Sequence, residues 1–369
     1  MRTFLAVALV FLAGNFVEGG NDRVPVRLAI AGLVHDRVNS FIVSLRGRPE
    51  VELTGIVESN TELAADCFRR LGLPQNILYT NFDELFARTN VDAVVAFTST
   101  FDHRQVVEEC AAHGVDVMVE KPLAVNMEHA RAMAAAARAG GIRVLVNYQT
   151  TWYPANQSAY EIVHDQHAIG EVRKIIAHDG HRGPKEIGCS PVFLAWLTDP
   201  VLNGGGALTD FGCYGADLAT WLMDGRRPTA VFAVTQQIKP EVYPKVEDEA
   251  TLVLTYPHAQ AIVEASWNGP FERMDLEIYG KKGYVLAPQA DLVRVRKTGG
   301  DESQIKLEAP PSGGALTDEI SYLAAVVRKE VEPAGPSSLE LNLTVTEILD
   351  AARESARTGR RIDLPAAAP

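Results

Sequence analysis

The chain has 369 residues, of which 47% are apolar and 22% charged, a composition that suits a folded protein with a sizeable core. At this length two domains are the natural expectation. A net charge of -12 and a pI near 5.3 argue against nucleic acid and acidic polymers as partners, because phosphate binding needs a basic stripe and none is present.

Met1 and Arg2 lead into an apolar run from Phe4 to Ala13 and then small residues, the pattern of a signal peptide over residues 1–20 with cleavage near Gly14 or Gly19. The run is short for a membrane span, carries no cysteine for a lipid and no twin arginine. The expectation is a periplasmic or extracellular protein without membrane contact beyond that segment, or a cytoplasmic one if the segment is only an extension ahead of the first strand.

Mostly apolar runs follow at 26–31, 51–57, 93–97, 115–119 and 142–146, separated in part by Ala-, Glu- and Arg-rich stretches at 104–112 and 127–139 that read as helices. Apolar strands alternating with helices predict a parallel, doubly wound Rossmann sheet over residues 24–148. After the first strand comes Gly32-Leu33-Val34-His35-Asp36-Arg37. A dinucleotide loop wants glycine at 32 and 34 and a small residue at 37; only Gly32 fits, and the Val34 side chain would crowd the phosphates. Glu58 stands at the end of the second strand, where a carboxylate accepts ribose hydroxyls and repels a 2′-phosphate, so NAD is favoured over NADP.

The run at 115–119 ends in Glu120-Lys121-Pro122, at the strand end where ligands of open α/β sheets bind. A cation there can hold a substrate oxygen, although Lys-Pro in a surface turn is equally ordinary. Asn147 and Tyr148 close the last strand of this domain, on the side expected for the nicotinamide.

Beyond residue 148 a helix at 156–167 precedes a strand at 172–178, and strand-like runs then succeed one another between 230 and 295. Strands without intervening helices predict an α+β domain on a largely antiparallel sheet, placed at 149–335, with helices at 318–329 and 339–358 after Pro- and Gly-rich 309–314. Between them lies Gly204-Gly205-Gly206-Ala207-Leu208-Thr209-Asp210-Phe211-Gly212-Cys213-Tyr214, a glycine run feeding an apolar helix on which Asp210, Tyr214 and Asp217 share one face. A ligand is one partner for those polar groups; a helix dipole and a buried hydroxyl acceptor are the alternative. The four cysteines are widely spaced and read as free thiols. His178 and His181 are an odd number of residues apart, so a continuing strand would turn them to opposite faces, and no metal site is expected.

Taken together, Glu120-Lys121-Pro122 and the Gly-Gly-Gly run leading to Asp210 and Tyr214 make the chain resemble the Gfo/Idh/MocA family of glucose-fructose oxidoreductases and inositol dehydrogenases, from about residue 24 to 364. The resemblance implies a catalytic group of Lys121, Asp210 and Tyr214, with tyrosine where many members carry histidine. It implies cofactor contacts from Gly32, Val34, His35, Glu58, Thr98, Ser99, His103, Glu120, Lys121 and Asn147. It also implies a last helix, within 336–364, that packs back on the first domain, and a homo-oligomer. Trp152 and His181 are weaker candidates for sugar contacts alongside Lys121, Asp210 and Tyr214.

The expected reaction is NAD-dependent oxidation of a secondary CH-OH of a sugar, cyclitol or glycoside, with Tyr214 taking the proton and Lys121 holding the oxygen. An exported enzyme would meet little free NAD. That brings forward a redox-neutral cycle, in one form a glycosidase or lyase acting through a keto-sugar. A sensor of the same fold is the non-enzymatic alternative.

Overall fold

The computed structural model describes residues 23–308, 314–315 and 317–365; the signal-like segment at 1–20 and the Pro-rich stretch at 309–313 lie outside the described residues. Six strands, β1 (Val26–Ala31), β2 (Val51–Val57), β3 (Leu78–Tyr79), β4 (Ala93–Ala96), β5 (Asp116–Glu120) and β6 (Val144–Asn147), form a parallel sheet in the order β3-β2-β1-β4-β5-β6. Helices α1 (Arg37–Ser44), α2 (Thr61–Leu71), α3 (Phe82–Arg88), α4 (His103–Ala112) and α5 (Met127–Gly140) alternate with the strands. Side-chain oxygens of Asn60, Asn81 and Asn126 cap α2, α3 and α5, and left-handed Gly72 and Gly141 end α2 and α5. The strand runs are almost wholly apolar because both faces are covered. Ala31 pairs with Ala96 and Ala96 with Val119, so the loops after β1, β4 and β5 leave the sheet side by side. The strand order reverses between β1 and β4, and that is where such sheets bind ligands.

The second domain adds α6 (Pro154–His164), β7 (Val172–Gly180), α7 (Pro191–Leu197), α8 (Ala207–Asp210) and α9 (Gly212–Leu222). The strands β8 (Ala230–Gln236), β9 (Glu249–Thr255), β10 (Gln260–Ser266), β11 (Arg273–Gly280), β12 (Gly283–Gln289), β13 (Leu292–Lys297) and β14 (Ser303–Lys306) follow, then α10 (Glu319–Val327), α11 (Leu339–Thr358) and β15 (Ile362–Asp363). The sheet runs β14-β13-β12-β11-β7-β10-β9-β8-β15 and is antiparallel except where β7 meets β10. Its inner face, with Ile175, Ala177, Leu252 and Val263, is buried, whereas Phe232 and Val234 on β8 stand exposed on the other.

Two expectations need correction. The helix α10 was assigned with the second domain, yet Ile320, Leu323 and Ala324 pack with Leu28, Phe41 and Met118 in the core of the first. The nearly all-apolar sequence of α10 covers a face of the parallel sheet that would otherwise be open, an outlet that sequence order does not reveal. The glycine run feeds two short helices, not one: the backbone turns at Phe211, which separates α8 from α9. α11 bridges both domains, accepting at Asp350 from the Met127 backbone N–H (2.7 Å), donating from Arg353 to the Val125 carbonyl (2.8 Å) and accepting at Asn342 from the Tyr148 hydroxyl (2.9 Å).

Close approach explains the glycines. A Cβ on Gly206 would lie 1.9 Å from the Glu247 carbonyl oxygen, and the Glu247 carboxylate accepts from the backbone N–H groups of Gly206 and Leu208. Gly206→Ala is therefore expected to destabilise the protein by about 1–3 kcal/mol or more, read as a lowered urea midpoint. An unchanged midpoint would mean that the two backbones separate freely.

Candidate active site

Lys121 follows β5 directly, and its peptide bond to Pro122 is cis. Its ammonium donates to the Asp210 carboxylate and, at 2.9 Å, to the Asp210 main-chain oxygen. The other Asp210 carboxylate oxygen accepts from Nε1 of Trp267 at 2.9 Å, a side chain with no exposed surface. The same ammonium lies 5.0 Å from the centroid of the Tyr214 ring and 5.9 Å from that of Phe211, within cation–π reach of both. His181, one residue past β7, stands edge-on against Phe211 with ring centroids 4.8 Å apart. Lys121, Asp210, Tyr214 and His181, distant in sequence, thus gather around Phe211 between the two domains.

The electrostatics fix their charges. Burial works against the Lys121 ammonium, but the Asp210 carboxylate more than offsets it, and the lysine titrates above its ordinary value. Burial likewise pushes Asp210 up, yet Lys121 overcomes it and holds the carboxylate below its usual range. Burial raises the Tyr214 phenol, and Lys121 only partly counteracts it. Burial lowers His181, against the pull of Asp210. At neutral pH the group holds an ammonium, a carboxylate, a phenol and a neutral imidazole. Asp217 does not join them. It is wholly buried, and both of its carboxylate oxygens lack hydrogen-bond partners among the described residues.

At the same edge of the parallel sheet, past the ends of β1, β2 and β4, lies a cavity of about 420 Å³ lined by Gly32, Val34, Glu58, Asn81, Thr98 and Gln105 among others. Gly32 has φ +79°, and a Cβ there would come within 2.6 Å of Thr98 Cγ2. The Glu58 carboxylate accepts from the Leu33 (2.9 Å) and Asn60 (2.8 Å) backbone N–H groups, which ties the glycine loop to β2 and faces the acid into the cavity. Val34 narrows the cavity without closing it, its carbonyl turned to accept from Trp196 Nε1 at 3.2 Å. A glycine that tolerates no side chain and a carboxylate at the second strand end fit the adenosine and ribose of a dinucleotide. Glu58→Gln is expected to narrow the preference for NAD over NADP by about tenfold, since it removes the repelling charge; a ratio of dissociation constants that does not move would contradict this.

The side chains of three expected cofactor contacts are engaged within the fold. His35 is buried among Phe97, Phe193 and Trp196, the Phe193 centroid 4.7 Å away, because α7 folds down over the loop through the bond from the Ser190 backbone N–H to Asp36 (2.8 Å). His103, 1% exposed, sits beneath the turn after Lys121 with Nδ1 at 3.2 Å from the Pro122 and Leu123 carbonyls; burial lowers its pKa to about 4. Ser99, also buried, donates to Asp102 at 2.6 Å. These side chains shape the loops and offer little surface to a ligand. Asn147 and Glu120 are buried and linked: Trp152 Nε1 donates to Asn147 Oδ1 and Asn147 Nδ2 to Glu120 Oε1, each at 3.0 Å. The Trp152 ring leans on Tyr322 of α10 at 5.5 Å, so it helps to hold the helix in place.

Trp267 and Arg37 were not foreseen. Nothing in the local sequence marks Trp267, whereas Arg37 occupies the position where the loop pattern wanted a small residue. Its guanidinium reaches 3.7 Å from Glu120 and 3.6 Å from Glu319. A larger cleft, about 710 Å³, lies away from these groups, by His164, Asp224, Arg226 and His258 of the second domain.

A doubly wound sheet with a cavity at its switch point, and an ammonium–carboxylate–phenol group at the same sheet edge, is the arrangement of two-domain dinucleotide-dependent oxidoreductases. The family model described as the oxidoreductase family, NAD-binding Rossmann fold, matches residues 26–148, and the GFO/IDH/MocA C-terminal domain model matches residues 157–286. The chain belongs to the Gfo/Idh/MocA family. It is 28% identical over 197 residues to the trans-1,2-dihydrobenzene-1,2-diol dehydrogenase of Xenopus laevis, covering 53% of this chain and 56% of that protein. Its match to the enzyme of the same name from Xenopus tropicalis, at 27% identity, covers 68% of this chain and 72% of the other. Among solved structures it resembles the aldose-aldose oxidoreductase of Caulobacter crescentus complexed with glycerol, at 25% identity and a TM-score of 0.78, covering 92% of this chain and all of that one. An inositol dehydrogenase homolog from Azotobacter vinelandii complexed with NAD+ shares the fold, with a TM-score of 0.79 at 19% identity over 92% of this chain and 97% of the other.

Proposed function

We propose that this chain carries out NAD-dependent oxidation and reduction at a secondary CH-OH of a sugar, cyclitol or related polyol. The observation that carries the reading is the convergence of Lys121, Asp210 and Tyr214 at the sheet edge that also carries the cavity lined by Gly32 and Glu58. The names of the relatives, a diol dehydrogenase and an aldose-aldose oxidoreductase, point to the same bond type.

Bound NAD supplies the hydride acceptor. The residues of the chain do the rest. Lys121, held by Asp210, directs its remaining N–H at the substrate oxygen and stabilises negative charge there. Trp267 fixes Asp210 from behind and so fixes the lysine. Tyr214 places its hydroxyl by the same oxygen as the group that exchanges the proton. No particular observation favours the keto-sugar glycosidase or the sensor. We also propose assembly into a homo-oligomer through the open sheet face that exposes Phe232 and Val234, to be tested by light scattering, and export directed by residues 1–20, to be tested by fractionation.

The functional test is absorbance at the nicotinamide band with NAD and a panel of myo-inositol, glycerol, D-glucose and D-xylose. Formation of NADH with at least one, lost in Lys121→Ala, is expected. A wild-type protein that binds NAD yet reduces none of it with any polyol, and oxidises no NADH with the matching carbonyls, would refute the reading.

A further inference from the structure

We propose that Arg37 is the anion clamp of the nucleotide site: its guanidinium holds the pyrophosphate of the dinucleotide, for which the loop after β1 is short of glycines. The inference rests on the NAD reading and adds a binding residue that the usual loop pattern excludes.

The pyrophosphate is doubly negative, and the cavity past β1, β2 and β4 offers it no cation. The residues that line it include Glu58, Asp83, Asp102 and Glu109, and no lysine, arginine or histidine is among the described ones. In the usual loop, glycines bring backbone N–H groups up to the phosphates. Here Gly32 alone keeps that role, and Val34 and Arg37 carry side chains at the other two positions. Two nearby basic groups are committed elsewhere. His35 is packed against Phe193 and Trp196, where burial keeps its imidazole neutral, and Lys121 is bonded to Asp210.

Arg37 opens α1 directly after the loop, where the helix N-terminus already favours an anion. Its side chain turns inwards, so that Glu120, Tyr214, Glu319 and Tyr153 all act on the guanidinium. The residue thus spans from the loop that lines the cavity to the tyrosine of the catalytic group. Its ion pairs are loose. Nε lies 3.7 Å from Glu120 and one Nη 3.6 Å from Glu319, both beyond hydrogen-bond distance, and no guanidinium N–H of Arg37 donates a hydrogen bond among the described residues. A guanidinium that only tied the first domain to α10 would close on its carboxylate. Arg48 does so with Asp318, the neighbour of Glu319, through two bonds of 2.9 and 2.7 Å. Arg37 instead keeps a planar fork of unused donors at the start of α1, the arrangement that takes a phosphate through two parallel bonds.

The test is the dissociation constant of the full chain for NAD, for ADP-ribose, which keeps the pyrophosphate, and for adenosine, which lacks it. Arg37→Met is expected to weaken NAD and ADP-ribose by about 10- to 100-fold and adenosine by less than about twofold. Glu319→Gln removes a carboxylate that competes for the guanidinium, so it should tighten NAD by a few-fold and leave adenosine unchanged; it decides the matter if Arg37→Met does not fold. Undiminished NAD binding in Arg37→Met, an equal loss for adenosine and ADP-ribose, or NAD binding that is unchanged or weaker in Glu319→Gln would overturn the inference. If the wild type binds none of the three ligands, the NAD reading itself fails; a wild type and an Arg37→Met protein that bind NAD equally well remove only the clamp.

Discussion

Lys121→Ala is expected to lower kcat/KM by about 1,000-fold while leaving NAD binding within a few-fold of the wild type, because the lysine acts on the substrate oxygen as charge develops there. Gly32, Glu58 and Thr98 line the nucleotide cavity, and Lys121 is not among its lining residues. Stability should fall as well. Lys121 and Asp210 are a buried pair, with side chains 11% and 8% exposed, and removing one partner of such a pair costs about 3–5 kcal/mol. Lys121→Arg keeps the charge but not the compact head, so it should recover more stability than activity. Kinetics, titration with NAD and urea unfolding on the same preparations separate the three effects. A variant that retains full kcat/KM would show that the oxygen is held elsewhere.

Asp217→Asn should change stability in the opposite direction, and by an amount that depends on pH. The wild-type carboxyl is enclosed in α9 without a hydrogen-bond partner among the described residues, so burial raises its pKa well above the ordinary value and keeps it protonated, with Asp179 adding to the effect. For an acid raised in this way, the folded state binds more protons than the unfolded one. The stability linked to it is fully present below the unfolded pKa and is lost as pH rises towards the folded one. Asparagine cannot ionise and removes that loss. The advantage of the variant over the wild type should therefore grow with pH, by up to about 1.4 kcal/mol per unit above roughly pH 4. Urea unfolding at several pH values measures the slope, which is independent of any fixed cost of burying the amide. Parallel curves for the two proteins would mean that Asp217 is charged in the fold.

Much of this architecture was legible because apolar runs of strand length alternate with helices, and period and burial then leave one parallel sheet as the answer. The placing of α10 was not legible: its apolar stretch is the same whichever domain it covers, and only the three-dimensional gap over Leu28 and Met118 decides. In the site, Lys121, Asp210 and Tyr214 stood out because charged or polar groups interrupt apolar segments. The hydrogen bond from Trp267 to Asp210 joins residues 57 positions apart and leaves no local trace. The inward side chains of His35 and His103 were hidden for a related reason. Each follows a strand end, but α7 and the turn after Lys121 fold over them and turn them inward. Arg37 was visible only as a departure from the glycine pattern, and its pairing with Glu319 needed the position of α10.

The claim on which the rest depends is that the cavity between Gly32 and Glu58 holds a dinucleotide next to Lys121. Native mass spectrometry of the purified full chain, titrated with NAD and with NADP, addresses it directly. One NAD per chain is predicted, with NADP bound more weakly. A chain that carries no dinucleotide at concentrations up to about 1 mM would contradict it.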